Sequence, residues 1–78
     1  MKIIKLVSAI KENPQKVRFE DLIKIVEYFG YVIINSGGSH YVCRKKESRT
    51  FTIAKPHGKE NYVNVKAVKR VLSELGIT

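Results

Sequence analysis

Cysteine is nearly absent from this 78-residue sequence, and so are the residue patterns with which many enzymes bind metals or phosphates. Cys43 is the single cysteine, so the chain has no intramolecular disulfide bond. No Cys and His residues have the spacing of zinc ligands. No Walker-type loop, nucleophile elbow or EF-hand spacing occurs either. The sequence therefore predicts a function without a metal ion or other cofactor.

Long hydrophobic runs are absent as well. Residues 1–10 are mostly apolar, but Lys5 interrupts them and no small-residue cleavage site follows, which is not the pattern of a secretory signal peptide. No stretch approaches the roughly 20 apolar residues that a membrane-spanning helix needs. We therefore expect a cytoplasmic protein that does not contact a membrane.

Acidic side chains are few compared with basic ones. Seven Asp and Glu residues accompany 15 Lys and Arg residues, which leaves a net charge of +8. The excess is uneven, because residues 1–38 carry a net charge of +2 and residues 39–78 a net charge of +6. A small domain with one strongly basic half attracts a polyanion, which is either a nucleic acid or an acidic protein. The acids show no pairing near a histidine or a glycine loop, which disfavours carboxylate catalysis.

The spacing of apolar residues predicts one α+β domain over residues 1–78, in the order helix, helix, three antiparallel strands, helix. Three apolar stripes at helical spacing define the helices: Ile3, Leu6, Val7 and Ile10 in residues 1–12; Phe19, Leu22, Ile23, Val26 and Phe29 before Gly30; and Val65, Val68, Val71, Leu72 and Leu75 after the N-cap residue Asn64. Between them, residues 31–35, 40–45 and 50–54 have the composition of strands. We expect the helices to cover one face of the sheet and to leave the other open.

The most interesting candidate site is the segment Gly37-Gly38-Ser39-His40. Two glycines permit a tight turn and the close approach of a phosphate or another backbone, and backbone N–H groups there can bind an anion. A histidine titrates near neutral pH, so His40 can accept the proton of an RNA 2′-hydroxyl or protonate the leaving 5′-oxygen. The alternative is an ordinary hairpin turn followed by a surface histidine.

Basic residues supply further candidates for RNA binding. Lys55, His57 and Lys59 lie in one loop and form a plausible phosphate site, although the same loop also fits a solvated turn. Other basic residues predicted to contact RNA are Lys45 after the second strand and Lys66, Lys69 and Arg70 on the last helix. The alternative for these residues is a surface that only keeps the protein in solution.

Several of these features together resemble the HicA toxin family, the small ribonucleases of toxin–antitoxin pairs. The resemblance covers residues 19–77 and rests on Gly38-Ser39-His40, on residues 51–58 (Phe-Thr-Ile-Ala-Lys-Pro-His-Gly) and on the ending Leu75-Gly76-Ile77. It implies a fold like a double-stranded-RNA-binding domain, an mRNA substrate, a HicB-type antitoxin as partner, and a catalytic role for His40 alone.

The chain departs from the family pattern in three places. Residues 1–12 extend beyond it, Lys66-Ala67-Val68 replaces a common Gly-Thr-Leu, and Tyr41-Val42-Cys43 follows the histidine. Two other functions are compatible with the sequence. One is an RNA-binding module of the same fold that does not cut RNA, and the other is a protein whose basic face meets an acidic protein.

Overall fold

Within residues 3–35, 37–56 and 62–77, which a computed structural model describes, three helices and a three-stranded antiparallel sheet follow one another in the predicted order. The α+β architecture expected from the sequence is confirmed. The elements are α1 (Ile3–Glu12), α2 (Phe19–Tyr28), β1 (Val32–Asn35), β2 (His40–Arg44), β3 (Phe51–Ala54) and α3 (Val65–Glu74).

Gly30 ends α2 and directs the chain into the sheet. Its φ of 93° lies in the left-handed region that favours glycine, and the N–H of Tyr31 donates to the carbonyl of Val26 at 3.3 Å. Together with the bond from the N–H of Gly30 to the carbonyl of Glu27, this is the hydrogen-bond pattern of a Schellman ending. Because the N–H of Tyr31 takes part in it, β1 begins at Val32 and not at Tyr31. Lys45 and Thr50 likewise lie just outside β2 and β3, so both strands are one residue shorter than predicted.

Both ends of α3 are capped, and the N-cap at Asn64 is the one that the sequence predicts. The side chain of Asn64 accepts a hydrogen bond from the N–H of Lys66 at 2.8 Å, as an N-cap residue does. At the other end Gly76 has a φ of 74°, and the N–H of Ile77 donates to the carbonyl of Leu72 at 2.9 Å. These two caps fix the length of the helix.

The sheet has the strand order β1-β2-β3, and its two faces differ in character. In the register, Cys43 pairs with both Ile33 and Phe51, while Tyr41 pairs with Ile53. These residues form the covered face, on which the helices pack. Asn35, which pairs with Tyr41, lies on the same side at the exposed end of β1. The other strand side chains form the open face, which consists of Val32, Ile34, His40, Val42, Arg44, Thr52 and Ala54.

The core lies between the covered face and the helices. It includes Leu6 and Ile10 of α1 together with side chains of α2, β2, β3 and α3, and the partly buried Ile33 of β1 packs against it. The helical stripe predicted for α2 omits Ile25, which is fully buried, whereas Ile23 is only partly buried. The reason is that α2 contacts both α1 and β1, so its buried arc is wider than one stripe. Within the described ranges, no helix is long and apolar enough to cross a membrane.

Candidate functional site

The turn that joins β1 to β2 forms the centre of the candidate site, and the side chain of Asn35 is hydrogen-bonded to its backbone. The amide nitrogen of Asn35 donates to the carbonyl of Gly38 at 2.8 Å and to that of His40 at 3.1 Å. Its carbonyl oxygen accepts from the N–H of Gly37 at 3.1 Å. The side chain of Asn35 therefore binds three backbone groups, two in the turn and one at the start of β2.

The two glycines leave the surface of the turn uncovered. Gly37 has a φ of 104°, which a residue with a side chain rarely adopts. A Cβ atom built on Gly37 or Gly38 would meet no other part of the described chain within 4 Å. The space above this backbone is therefore open, as the close approach of a phosphate group requires.

The end of β3 holds the turn from the other side. The N–H of Lys55 donates to the carbonyl of Ser39 at 2.7 Å, directly beside the register pair of His40 and Ala54. The ammonium group of Lys55 lies 5.9 Å from the centre of the Phe19 ring, on the covered side of the sheet. The structure therefore brings Lys55 next to the turn through its backbone and directs its side chain away from the open face.

His40 is the first residue of β2, and its side chain is exposed on the open face. The residue beside it on β3 is Ala54, which is too small to cover an imidazole ring. Within the described residues, no hydrogen bond or ion pair involves the ring. A ring in this position can exchange protons with a molecule that docks on the open face.

The other basic residues predicted to bind RNA lie apart from this turn. Lys45 follows the last residue of β2, at the end opposite the turn, where its ammonium group donates to the carbonyl of Phe29 at 2.7 Å and lies 5.5 Å from the centre of the Tyr31 ring. Lys66, Lys69 and Arg70 are exposed on α3, in the helical layer and not on the open face. His57 and Lys59 lie outside the described residues.

Cys43 has the environment of a packing residue. It is fully buried on the covered face, and burial raises the pKa of its thiol from 9.0 to about 11. A thiol with a raised pKa is a poor nucleophile near neutral pH, because the reactive species is the thiolate. In the part of the chain that the structure describes, no three His, Cys, Asp or Glu side chains are grouped closely enough to hold a metal ion.

Asn35 is the residue of the site that the sequence reasoning missed. A signal was present, because an asparagine two residues before a glycine commonly hydrogen-bonds to the backbone two positions further on. The composition of residues 31–35 indicates a strand that ends at Asn35, and the two glycines indicate a turn, but neither pattern by itself shows that Asn35 organises that turn.

These observations define an α+β domain with a fixed glycine turn and an exposed histidine at the start of the second strand. Residues 19–77 match the model of the family described as "HicA toxin of bacterial toxin-antitoxin". The match covers well over half of the chain, so the protein belongs to the HicA toxin family, and α1 lies outside the matched range. No curated protein and no solved structure matches the chain.

Proposed function

We propose that this protein is the toxin of a type II toxin–antitoxin system and that it cleaves mRNA as an endoribonuclease with His40 as general acid and base. The family match supports a toxin with nuclease activity. The observation that carries the assignment to His40 is its position: an exposed imidazole follows a turn whose backbone is hydrogen-bonded from both sides.

The proposed chemistry needs one group that first accepts and then donates a proton. The neutral imidazole of His40 removes the proton of the 2′-hydroxyl, and the 2′-oxygen attacks the adjacent phosphorus. The bond from phosphorus to the 5′-oxygen then breaks, and the imidazolium returns the proton to that leaving oxygen. The products are a 2′,3′-cyclic phosphate and a free 5′-hydroxyl. No metal ion is required in this scheme, in line with the absence of zinc-ligand spacing in the sequence.

Binding of the RNA backbone is assigned to the turn and to the basic residues. The uncovered backbone of Gly37, Gly38 and Ser39 would lie against the phosphate that reacts. Phosphates further along the RNA would meet the remaining basic residues predicted from the sequence, because such contacts position RNA without reading its sequence. These residues are Lys45, Lys55, His57, Lys59, Lys66, Lys69 and Arg70.

The partner in this proposal is an acidic antitoxin of the HicB type that covers the open face in the cytoplasm. Two features of that face favour a protein partner. Val32 and Ile34 are 62% and 42% exposed, which is high for aliphatic side chains. They line a groove together with Arg44, so the same surface offers apolar contact and positive charge. This groove lies toward the end of β2 opposite His40, so a partner that extends from it along the open face past Val42 would reach His40 and block its access to RNA.

The test is the substitution His40→Ala, with cleavage rate, RNA affinity and thermal midpoint measured on the same preparation. We expect the cleavage rate to fall on the order of a hundred- to ten-thousand-fold, because a positioned acid or base is lost. The thermal midpoint and the RNA affinity are expected to change little, because His40 is exposed.

The matched comparison is His57→Ala, which removes the other histidine of the chain. If His57 only contacts phosphate, its loss costs a few-fold in rate, and if it is a second proton-transfer group it costs about as much as the loss of His40. A His40→Ala protein that cleaves RNA at the parental rate would contradict the proposed function. Cleavage would then depend on another residue of the chain, whereas RNA binding without any cleavage by the unmodified protein would favour the RNA-binding module of the same fold.

A further inference from the structure

We infer that Asn35 is a positioning residue for the cleavage reaction, because its side chain fixes the backbone from which His40 projects. This inference rests on the proposed role of His40 and adds a second residue to the same site. Asn35 is the last residue of β1 and pairs with Tyr41, so its side chain lies directly across from the start of β2.

The side-chain amide of Asn35 both donates and accepts hydrogen bonds in this position. The nitrogen has two hydrogens, and the carbonyls of Gly38 and His40 each accept one of them. The oxygen accepts the N–H of Gly37. Only an uncharged amide of this length can satisfy all three groups, since aspartate has no hydrogen to donate. The requirement is therefore for hydrogen-bond chemistry and not for volume.

The turn needs such a restraint because of its composition. Glycine has more backbone freedom than any other residue, so a turn that contains Gly37 and Gly38 has many alternative conformations. The bond from Lys55 to Ser39 restrains only the side that faces β3. Without the bonds of Asn35, the side that faces β1 would lose these restraints, and the backbone of His40 would be held only by its pairing with Ala54 and by the strand pairing that begins at Tyr41.

A small movement of His40 is enough to reduce the rate. Proton transfer requires hydrogen-bond distance between the imidazole and the reacting oxygen, and a displacement of about 1 Å can cost about a hundred-fold in rate. Asn35 is exposed, so its hydrogen bonds also compete with water and contribute only modestly to folding. We therefore expect the loss of this side chain to affect catalysis much more than stability.

The experiment compares Asn35→Ala and Asn35→Asp with Asn64→Ala. Asn64 is also an exposed asparagine whose side chain binds backbone, at 2.8 Å from the N–H of Lys66, but it caps α3. For each protein, kcat and KM for RNA cleavage are determined separately, and the thermal midpoint is recorded.

The expected result is that both substitutions at Asn35 lower kcat about ten- to a hundred-fold, while KM stays within a few-fold of the parental value. Asn64→Ala is expected to lower the thermal midpoint at least as much as Asn35→Ala and to keep the parental kcat. Asn35→Asp has the size of the original residue but adds a negative charge near the proposed phosphate site, so a low kcat shared by Asn35→Asp and the uncharged Asn35→Ala is the result that points to the two donated hydrogen bonds.

Two results would overturn this inference alone. One is a parental kcat in Asn35→Ala combined with an inactive His40→Ala protein. The other is an Asn35→Ala protein that does not fold although Asn64→Ala does, because Asn35 would then maintain the fold and not the site. A His40→Ala protein with parental activity would overturn the proposed function together with this inference.

Discussion

The two faces of the sheet are built from the same three strands, yet they have opposite properties. On the covered face, Cys43, Phe51 and Ile53 are buried beneath the helices. On the open face, His40 and Thr52 are exposed, although each is the immediate neighbour of a residue on the covered side. Because side chains alternate along a strand, neighbouring residues point to opposite faces, so one can pack in the core while the next is exposed and available for chemistry.

Packing of the covered face against the helices fixes the position of β2 and therefore of His40. The open face leaves the imidazole of His40 accessible to a bound molecule. Cys43 shows the first effect: it lies three residues after His40 on the same strand, and burial keeps its thiol protonated. The imidazole of His40 remains in contact with solvent. The comparison predicts that substitutions on the covered face change stability and that substitutions on the open face change activity.

The largest expected difference in stability is between substitutions of two adjacent residues of β3, one on each face. Ile53→Ala removes a fully buried side chain and leaves a cavity, so we expect the free energy of unfolding to fall by about 2–5 kcal/mol. Thr52→Ala, one residue away on the open face, is expected to change it by less than about 0.5 kcal/mol. Chemical denaturation of both variants measures the difference. Equal losses of stability would contradict the assignment of the two faces.

A smaller effect, on RNA affinity, tests whether RNA reaches beyond the open face. Replacing Lys66, Lys69 and Arg70 with Glu should weaken binding of all RNA sequences about equally. The plot of the logarithm of the binding constant against the logarithm of the salt concentration should also become less steep, by about one unit of slope for each phosphate contact that is lost. The matched control replaces Lys5, Lys11 and Lys24 with Glu, which changes the net charge by the same amount in the other half of the chain. Binding is measured across a salt titration.

The result of the charge reversal shows whether RNA contacts α3 or is attracted only by the net charge of the protein. If only the α3 variant loses affinity, RNA contacts the helical layer as well as the turn. If both variants lose affinity equally, the net charge alone attracts the RNA, and Lys66, Lys69 and Arg70 would not be specific contacts. An unchanged salt dependence in the α3 variant would contradict a phosphate-binding role for that helix.

Local patterns were sufficient to predict most of the fold. The helical spacing in α2 and α3 and the N-cap at Asn64 each depend on neighbours within a few residues, and the structure confirms them. Ile25 was missed because its burial depends on the packing of α1 against α2. Tertiary contacts of this kind leave no local pattern in the sequence.

The candidate site was predictable only in part for the same reason. Glycine spacing and a family resemblance identified His40 and its turn, and the structure places that side chain on the open face. The bond from Lys45 to the carbonyl of Phe29 spans 16 residues, so nothing near Lys45 indicates it. The bonds of Asn35 are local, but they depend on the turn conformation that the glycines adopt.

The most direct measurement is the cleavage of a single-stranded RNA by the purified protein in the presence of EDTA. The control substrate is the same RNA with a 2′-deoxy nucleotide at the cleaved position. We predict that the RNA is cut at an undiminished rate, that the upstream fragment ends in a 2′,3′-cyclic phosphate, and that the deoxy substrate is not cut at that position. Cleavage that disappears with EDTA and returns with magnesium, or that cuts the deoxy substrate equally well, would contradict the mechanism proposed for His40.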